Sequence, residues 1–356
     1  VCITCLAFRE IIFGKWDRLT MVGLFALGWM AAMTLLAKYT VAFDSVIFIF
    51  AGRNVRLKRI ALFMFVILSA ILVTVVLLAV TGVIADTVLL RGTTTRHQLG
   101  FAHPNKGPGL FFFIACSWIF LRGKKYGVID ALAILVIVAA LHYFTDARTS
   151  CAVTVLAAIL ALIVKRVPDA IFRKPPFAVL GVGSILICAA VSISLTVCYD
   201  PSIGWMNSLN KFLSGRLALG HTAIAKYGIP FLGQKVDSGL TVSYDVVAGV
   251  WQEAKRGTNT IIDCEYVRFL VACGWPFMLI ALTLCTLVCA RAWKQGEWVL
   301  LLLIAIIAIH GISENYGPYA FYDPFLFLIG GLFYRGRKTE GAAPLSEEPV
   351  CEGLGA

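Results

Sequence analysis

Charge is what this chain has least of. Only 14% of its 356 residues are Asp, Glu, Lys or Arg, where a soluble domain carries about 25%. Hydrophobic residues make up 60% and mean hydropathy is +0.86, which excludes a single soluble domain. Acids are the scarcer sign, 20 against 31 Lys and Arg. No two of them stand at metal-ligand spacing and no DxD-like string occurs, so neither a metal nor another cofactor is expected. Cys2-x-x-Cys5 has no second pair, which removes a zinc site. Most of the 11 cysteines sit in apolar runs as small hydrophobes. No signal peptide with a charged start and small-residue cleavage site is visible. Nor is there an internal repeat of the kind many transporters carry. The net charge of +11 would point to nucleic acid on a soluble protein. Against a membrane it is read by position instead, and no nucleic-acid partner is expected.

What the chain has is long apolar runs. A bilayer core needs about 20 apolar residues in a helix. Runs at 19–37, 60–83, 109–121, 128–144, 150–164, 177–198, 269–290 and 298–312 meet or approach that length. Two shorter ones lie at 40–51 and 324–334, the latter opened by Asp323-Pro324, a cap and first-turn pair. The sequence therefore predicts an all-α integral membrane protein of about ten spans. Residues 1–198 hold seven of them, 199–268 form a long loop, 269–335 hold three, and 336–356 form a polar tail that reads as disordered. Residues 1–8 read as the tail of an earlier span. Of the 31 basic residues, 19 fall in short alternate connections and at the two ends. Dense Lys and Arg in short loops marks the cytoplasmic side, so both termini are expected there.

Polar residues that break the apolar rule are where function is sought in such a protein. Four segments on the opposite side carry them. Residues 85–108 hold Arg96, His103, Asn105 and Lys106. The turn 145–150 holds Asp146 and Arg148. The loop 199–268 is too long for a plain connector. Within it, 207–226 reads as one amphipathic helix lying in the interface, with Arg216 beside the apolar stripe and His221 elsewhere on its surface. Gly215 and Gly220 weaken that helix by about 1 kcal/mol each, which suggests close approach of a neighbour. Residues 229–262 read as irregular. Cys198 and Cys264 flank the loop, a disulfide being open to them on an oxidising face. The fourth segment, 310–323, gathers Glu314, Tyr316, Tyr319, Tyr322 and Asp323 into a rim of the kind that packs on and hydrogen-bonds sugars.

Guanidinium groups are the preferred bidentate partners of phosphate oxygens. Arg96, Arg148 and Arg216, from three separate segments, therefore suit a lipid-linked pyrophosphate. Each has a plainer reading: Arg148 pairing with Asp146 to cap its turn, Arg216 snorkelling to lipid phosphates, the tyrosines as an aromatic belt, and Asp263 with Glu265 as caps of the following helix.

The strings GFAHPNKGPG (100–109), TDARTS (145–150), LNKFLSGRLALG (209–220), YGIPFLGQ (227–234) and DCEYVRFLVACGW (263–275), in this order, resemble the Wzy-type bacterial polysaccharide polymerases of the O-antigen polymerase and ligase family. The flavour is that of capsule and exopolysaccharide clusters of Gram-positive bacteria, and the likeness runs from about 10 to 335. The resemblance implies a GT-C-like, metal-independent glycosyltransferase in the bacterial cytoplasmic membrane. Its substrate would be oligosaccharide repeat units on undecaprenyl pyrophosphate at the outer leaflet, with flippase and chain-length regulator proteins as partners. Arg148 and Arg216 match the family's basic positions, and His103 with Asn105 its HPN string. Lys106-Gly107-Pro108 and Ala147 depart from it. On this reading Arg148 and Arg216 hold the pyrophosphate with Arg96 behind them, and His103 or Glu314 is the general base. Asn105, Asp146, His221, Asp263, Tyr266 and Tyr322 would position sugars. The same layout serves an O-antigen ligase, and a transporter of lipid-linked sugar is the rival from another class.

Overall fold

The computed structural model describes residues 17–91, 94–237, 242–245, 250–253, 260–317 and 319–333. The expected tail 336–356, residues 1–8 and the basic residues Arg9, Lys15, Arg335, Arg337 and Lys338 lie outside them. The described residues are mostly helical (71%), with little sheet. Among the described residues four helices are long and apolar enough to cross a membrane: α1 (Arg18–Leu36), α3 (Leu57–Val80), α5 (Val128–Thr145) and α13 (Trp275–Gln295). Shorter apolar helices are α2 (Thr40–Ala51), α6 (Arg148–Val164) and α14 (Trp298–His310). The apolar α4 (Lys106–Arg122) is buried nearly all round, from Gly107 to Phe120. A helix apolar on every side belongs inside a bundle or in lipid. Around α4 pack α3, α5, α6 and α14. In α3 the position is reversed: only 22% of its apolar window is buried, and Phe63, Val66, Ile67 and Val73 are exposed. Unburied apolar surface on that scale needs a lipid solvent.

The observed helices differ from the expected runs at three breaks, each with a local cause. After the short α7 (Asp169–Phe172), the run 177–198 is two helices, α8 (Pro175–Val182) and α9 (Ser184–Val197), bent by 62° at Gly183. Two glycines lower helix propensity there, and Ser184 Oγ donates to the Gly181 carbonyl at 2.9 Å, a side-chain bond that bends helices. The run 269–290 is also two helices, α12 (Glu265–Cys273) and α13, divided at Gly274. Gly274 adopts φ +90°, and a Cβ there would stand 2.7 Å from the Pro230 carbonyl oxygen. Pro276 in the first turn of α13 then supplies no N–H, none being needed at a helix start. The expected single helix 207–226 is likewise α10 (Gly204–Phe212) and α11 (Arg216–Tyr227), parted by Ser214 and Gly215 at φ 56° and 85°. Past Asp323, where a last span was expected, a 3-10 turn Pro324–Leu326 leads into the short α15 (Phe327–Gly331) on α2.

The polar segments gain structure as well. Val88–Arg91 and Thr94–His97 form an antiparallel hairpin, β1 and β2, with Leu89 opposite Arg96. Val242–Asp245 and Val250–Glu253 pair as β3 and β4 in the loop read as irregular. Cys198 and Cys264 are both free thiols, the first exposed and the second buried.

Candidate functional site

Four chain segments, far apart in sequence, meet at Glu314. Its Oε1 accepts from Arg216 Nη2 at 2.7 Å and from Asn105 Nδ2 at 3.1 Å. Asn105 Oδ1 in turn accepts from Arg96 Nη2 at 2.6 Å, and Arg96 Nε donates to the Thr145 carbonyl at 2.8 Å. Asp263 Oδ2 lies 3.7 Å from Arg216 Nε. Thus the hairpin segment, the α5–α6 turn, the long loop and the segment after α14 are tied into one network.

Local structure explains why each group points inward. Gly215, at φ +85°, takes a conformation open to glycine and turns the chain so that α11 begins at Arg216. Of the two glycines expected to admit a close neighbour, Gly220 does, since a Cβ there would meet Thr196 Cγ2 at 2.7 Å, holding α11 against α9, whereas nothing lies within 4 Å of a Cβ on Gly215. Arg216 is consequently 8% exposed and does not snorkel. Glu314 and Arg96 are buried beside it at 6% and 5%. Glu314 follows directly on α14, where the chain leaves the helix through a turn.

The electrostatics favour a guest anion. Arg96, Lys106, Arg216 and Arg268 stand against Asp263 and Glu314: Arg268 acts on Asp263, and Lys106 on Glu314. Burial pushes the Glu314 carboxyl up to about 7, against the pull of Arg216. Burial also raises Asp263, again opposed by Arg216 and Arg268. A carboxyl near 7 exchanges a proton at neutral pH. Once Glu314 is protonated the network is still more positive.

Beside the network runs an apolar groove of about 350 Å³ between α3 and the chain after α14, with Ile67, Ile71 and Phe101 along it and Lys106, Tyr316 and Tyr322 also lining it. Lys106 Nζ sits 4.9 Å over the Tyr316 ring. Tyr322 stacks on Phe113 at 6.2 Å.

The other expected site residues are placed differently. Arg148 pairs with Asp146 at 3.2 Å, its side chain 67% exposed, and no hydrogen bond or ion pair among the described residues joins it to Arg216 or Glu314. Asp146 takes the left-handed C-cap of α5 at φ 44°. His103 borders the network, its Nδ1 accepting from the Asn105 N–H at 3.1 Å. His221 binds the Thr196 carbonyl at 3.0 Å and packs at Tyr199. Tyr266 is buried and donates to the Ala308 carbonyl at 2.7 Å, so it positions helices rather than facing the network. Glu265 is the first-turn acid of α12, as the plainer reading had it, though no side chain caps that helix by a hydrogen bond. Its carboxyl lies where a Cβ on Gly311 or Gly317 would have to go.

Sequence reading passed over Arg268. Its signal was present: a single cation within the otherwise apolar string from Tyr266 to Cys273. In the structure it lies 4.7 Å over the Tyr39 ring. It also passed over the Ser150–His310 hydrogen bond, 3.0 Å and fully buried, which ties α6 to α14 directly behind Glu314. Among the described residues no three His, Cys, Asp or Glu side chains are grouped as a metal would need. Comparison with protein-family models, curated proteins and solved structures finds no match to this chain.

Proposed function

We propose that this protein is a membrane glycosyltransferase that polymerises oligosaccharide repeat units carried on undecaprenyl pyrophosphate. The work would be done at the outer face of a bacterial cytoplasmic membrane. The observation that carries the reading is the buried Arg216–Glu314 pair, set in a network with more cations than acids and beside an apolar groove. A lipid-linked pyrophosphate has the matching parts. Its phosphates suit Arg216, Arg96, Lys106 and Arg268, and its isoprenoid tail suits the groove along α3.

In this reaction an acceptor sugar hydroxyl attacks the anomeric carbon of the donor glycan. The bond from that carbon to the pyrophosphate oxygen breaks, and undecaprenyl pyrophosphate leaves with the bonding electrons. The hydroxyl proton passes to Glu314, whose value near 7 suits a general base. Arg216 has two tasks: it keeps Glu314 ionised before attack, and it stabilises the charge growing on the leaving oxygen. Of the two bases considered, Glu314 is favoured over His103, because it contacts Arg216 directly. Arg148, exposed at the turn, makes the first electrostatic contact with incoming substrate.

The test is profiling of lipid-linked glycans in cells with and without the protein. Loss of long chains, with single repeats left on undecaprenyl pyrophosphate, is the expected outcome, reproduced by Arg216→Ala at normal protein level. Long lipid-linked chains that persist without reaching a final acceptor would make the protein a ligase. No change in either pool would move transport to the front.

A further inference from the structure

A second site lies on the other side of the same connecting segment. Within the bundle lies a half-open cavity of about 150 Å³, lined from α1, α2, α9, α12, α13, α14 and the chain from Gly317 through α15. Its walls are apolar, with Met30, Phe269, Met278 and Leu282 typical of them. Two acids break that pattern, Glu265 and Asp323.

Neither acid faces a cation among the described residues. Among the described residues Glu265 and Asp323 form no ion pair, in contrast to Asp263 and Glu314, which both face Arg216. Glu265 Oε2 is sealed from the surface without a hydrogen-bond partner. The Gly317 N–H lies beside this carboxyl, short of full hydrogen-bond geometry. Asp323 is 3% exposed and uses Oδ1 to accept the Phe325 N–H at 2.8 Å, which leaves Oδ2 for the cavity. The arrangement is built rather than incidental. Glu265 is seated where Gly311 and Gly317 both lack a side chain, since a Cβ on either would come within 2.3 and 2.6 Å of its carboxyl group. Buried carboxylates are normally paired, because an isolated one is costly to hold in an apolar surrounding.

The chemistry of the walls selects the guest. A hard metal ion of the calcium type takes 6–8 oxygen ligands. Only four lining side chains carry oxygen, and two of them are occupied. Tyr266 donates to the Ala308 carbonyl at 2.7 Å. Ser45 donates to the Val41 carbonyl at 2.8 Å and accepts from the Ala320 N–H at 3.0 Å. A neutral apolar guest would fill the walls and leave both acids unanswered. An organic ammonium satisfies both halves. In another protein a cavity of about 150 Å³ takes a benzene ring, which sets the size.

We propose that this cavity binds a small organic cation, a primary ammonium on an apolar body of about six carbons, with the ammonium held by Glu265 and Asp323. This does not rest on the glycosyl-transfer reading, since none of its residues belongs to the Arg216 network. The site would give the protein a second ligand, an amine, bound on the reverse of the segment that carries Glu314.

The experiment is thermal unfolding of the full chain in zwitterionic nanodiscs at pH 8, titrated with hexylammonium, hexanol or sodium chloride. Hexylammonium is expected to raise Tm saturably, with hexanol binding at least tenfold more weakly and sodium giving no saturable shift. Asp323→Asn keeps an acceptor for the Phe325 N–H, and Glu265→Gln keeps the shape between the glycines. Each is expected to weaken hexylammonium at least tenfold and leave hexanol unchanged. Hexanol as effective as hexylammonium would overturn the proposal, as would hexylammonium undiminished in both variants. A saturable sodium shift lost in Asp323→Asn would overturn it in favour of a metal cation. Should the variants not fold, the amine-to-alcohol comparison on the unaltered chain decides alone.

Discussion

Replacing Arg216 by Ala isolates the charge at the centre of the network, and its cost should depend on pH. The Glu314 carboxyl stands at about 7 against a usual 4.5. Its folded value is raised, so between 4.5 and 7 the native state binds a proton that the unfolded chain has released. Stability therefore falls as pH rises through that window and levels off above 7. Arg216 holds the value down, so removing it moves the upper edge of the window higher. At pH 6 Glu314 is protonated with or without Arg216, and the carboxyl contributes no difference between the two proteins. At pH 8 it is ionised in the parent. In the variant, once its value passes 8, it is still protonated. One pH unit of extra proton binding then costs about 1.4 kcal/mol. The loss on Arg216→Ala should thus be about 1.4 kcal/mol larger at pH 8 than at pH 6. A pH-independent loss from the buried side chain and its bond to the Leu213 carbonyl comes on top. Asp263, also facing Arg216, pushes the same way, with Arg268 opposing it. The control is Arg216→Ala in a Glu314→Gln background, which keeps the Asp263 contribution and deletes that of Glu314. The assay is denaturant unfolding in detergent at both pH values, followed by tryptophan fluorescence. An Arg216→Ala loss equal at pH 6 and pH 8, or a pH dependence unchanged in the double variant, would refute the argument.

Three further outcomes follow from the geometry. Asn105→Ala cuts the link between Arg96 and Glu314 and leaves two buried charged groups short of a partner; an unfolding loss of about 1–3 kcal/mol is expected, with polymer yield falling in the same cells. Arg148→Ala should leave unfolding within about 0.5 kcal/mol, because an exposed ion pair is worth little, while glycan profiling shows shortened or absent chains. Gly274→Ala has neither the backbone angle nor the room, its Cβ falling 2.7 Å from the Pro230 carbonyl oxygen; a loss of at least about 2 kcal/mol and reduced folded yield on size-exclusion chromatography are expected.

Hydropathy is a local property, which is why most helices are legible from the chain alone. α1, α2, α5 and α6 begin and end within two residues of their apolar runs. The breaks at Gly183, Ser214–Gly215 and Gly274 lay hidden, because apolar periodicity runs straight through them. Their signals are single glycines, and Gly274 acquires its reason only from a carbonyl at residue 230 that folding brings alongside. The site was half legible. Scarce polar residues in an apolar chain marked Arg96, Asn105, Arg216, Asp263 and Glu314. The choice of partners was not marked, since Glu314 sits 98 residues from Arg216 and 209 from Asn105. Nothing in the chain distinguished Arg216, which turns inward after a left-handed glycine, from Arg148, which pairs with its neighbour at the surface.

Those separations set an order of events during synthesis. Chains elongate at about 5–20 residues per second, so Arg216 emerges about 5–20 s before Glu314 and Asn105 about 10–40 s before it. For that interval two arginines and an amide destined for burial wait for Glu314, with Arg216 meeting Asp263 first, and they must stay hydrated while the earlier helices are already in the bilayer. The network closes only when the last helices arrive. A chain stopped before residue 314 would hold Arg216 and Asn105 without the carboxylate they share, a mark by which quality control can tell a partial product from a finished one.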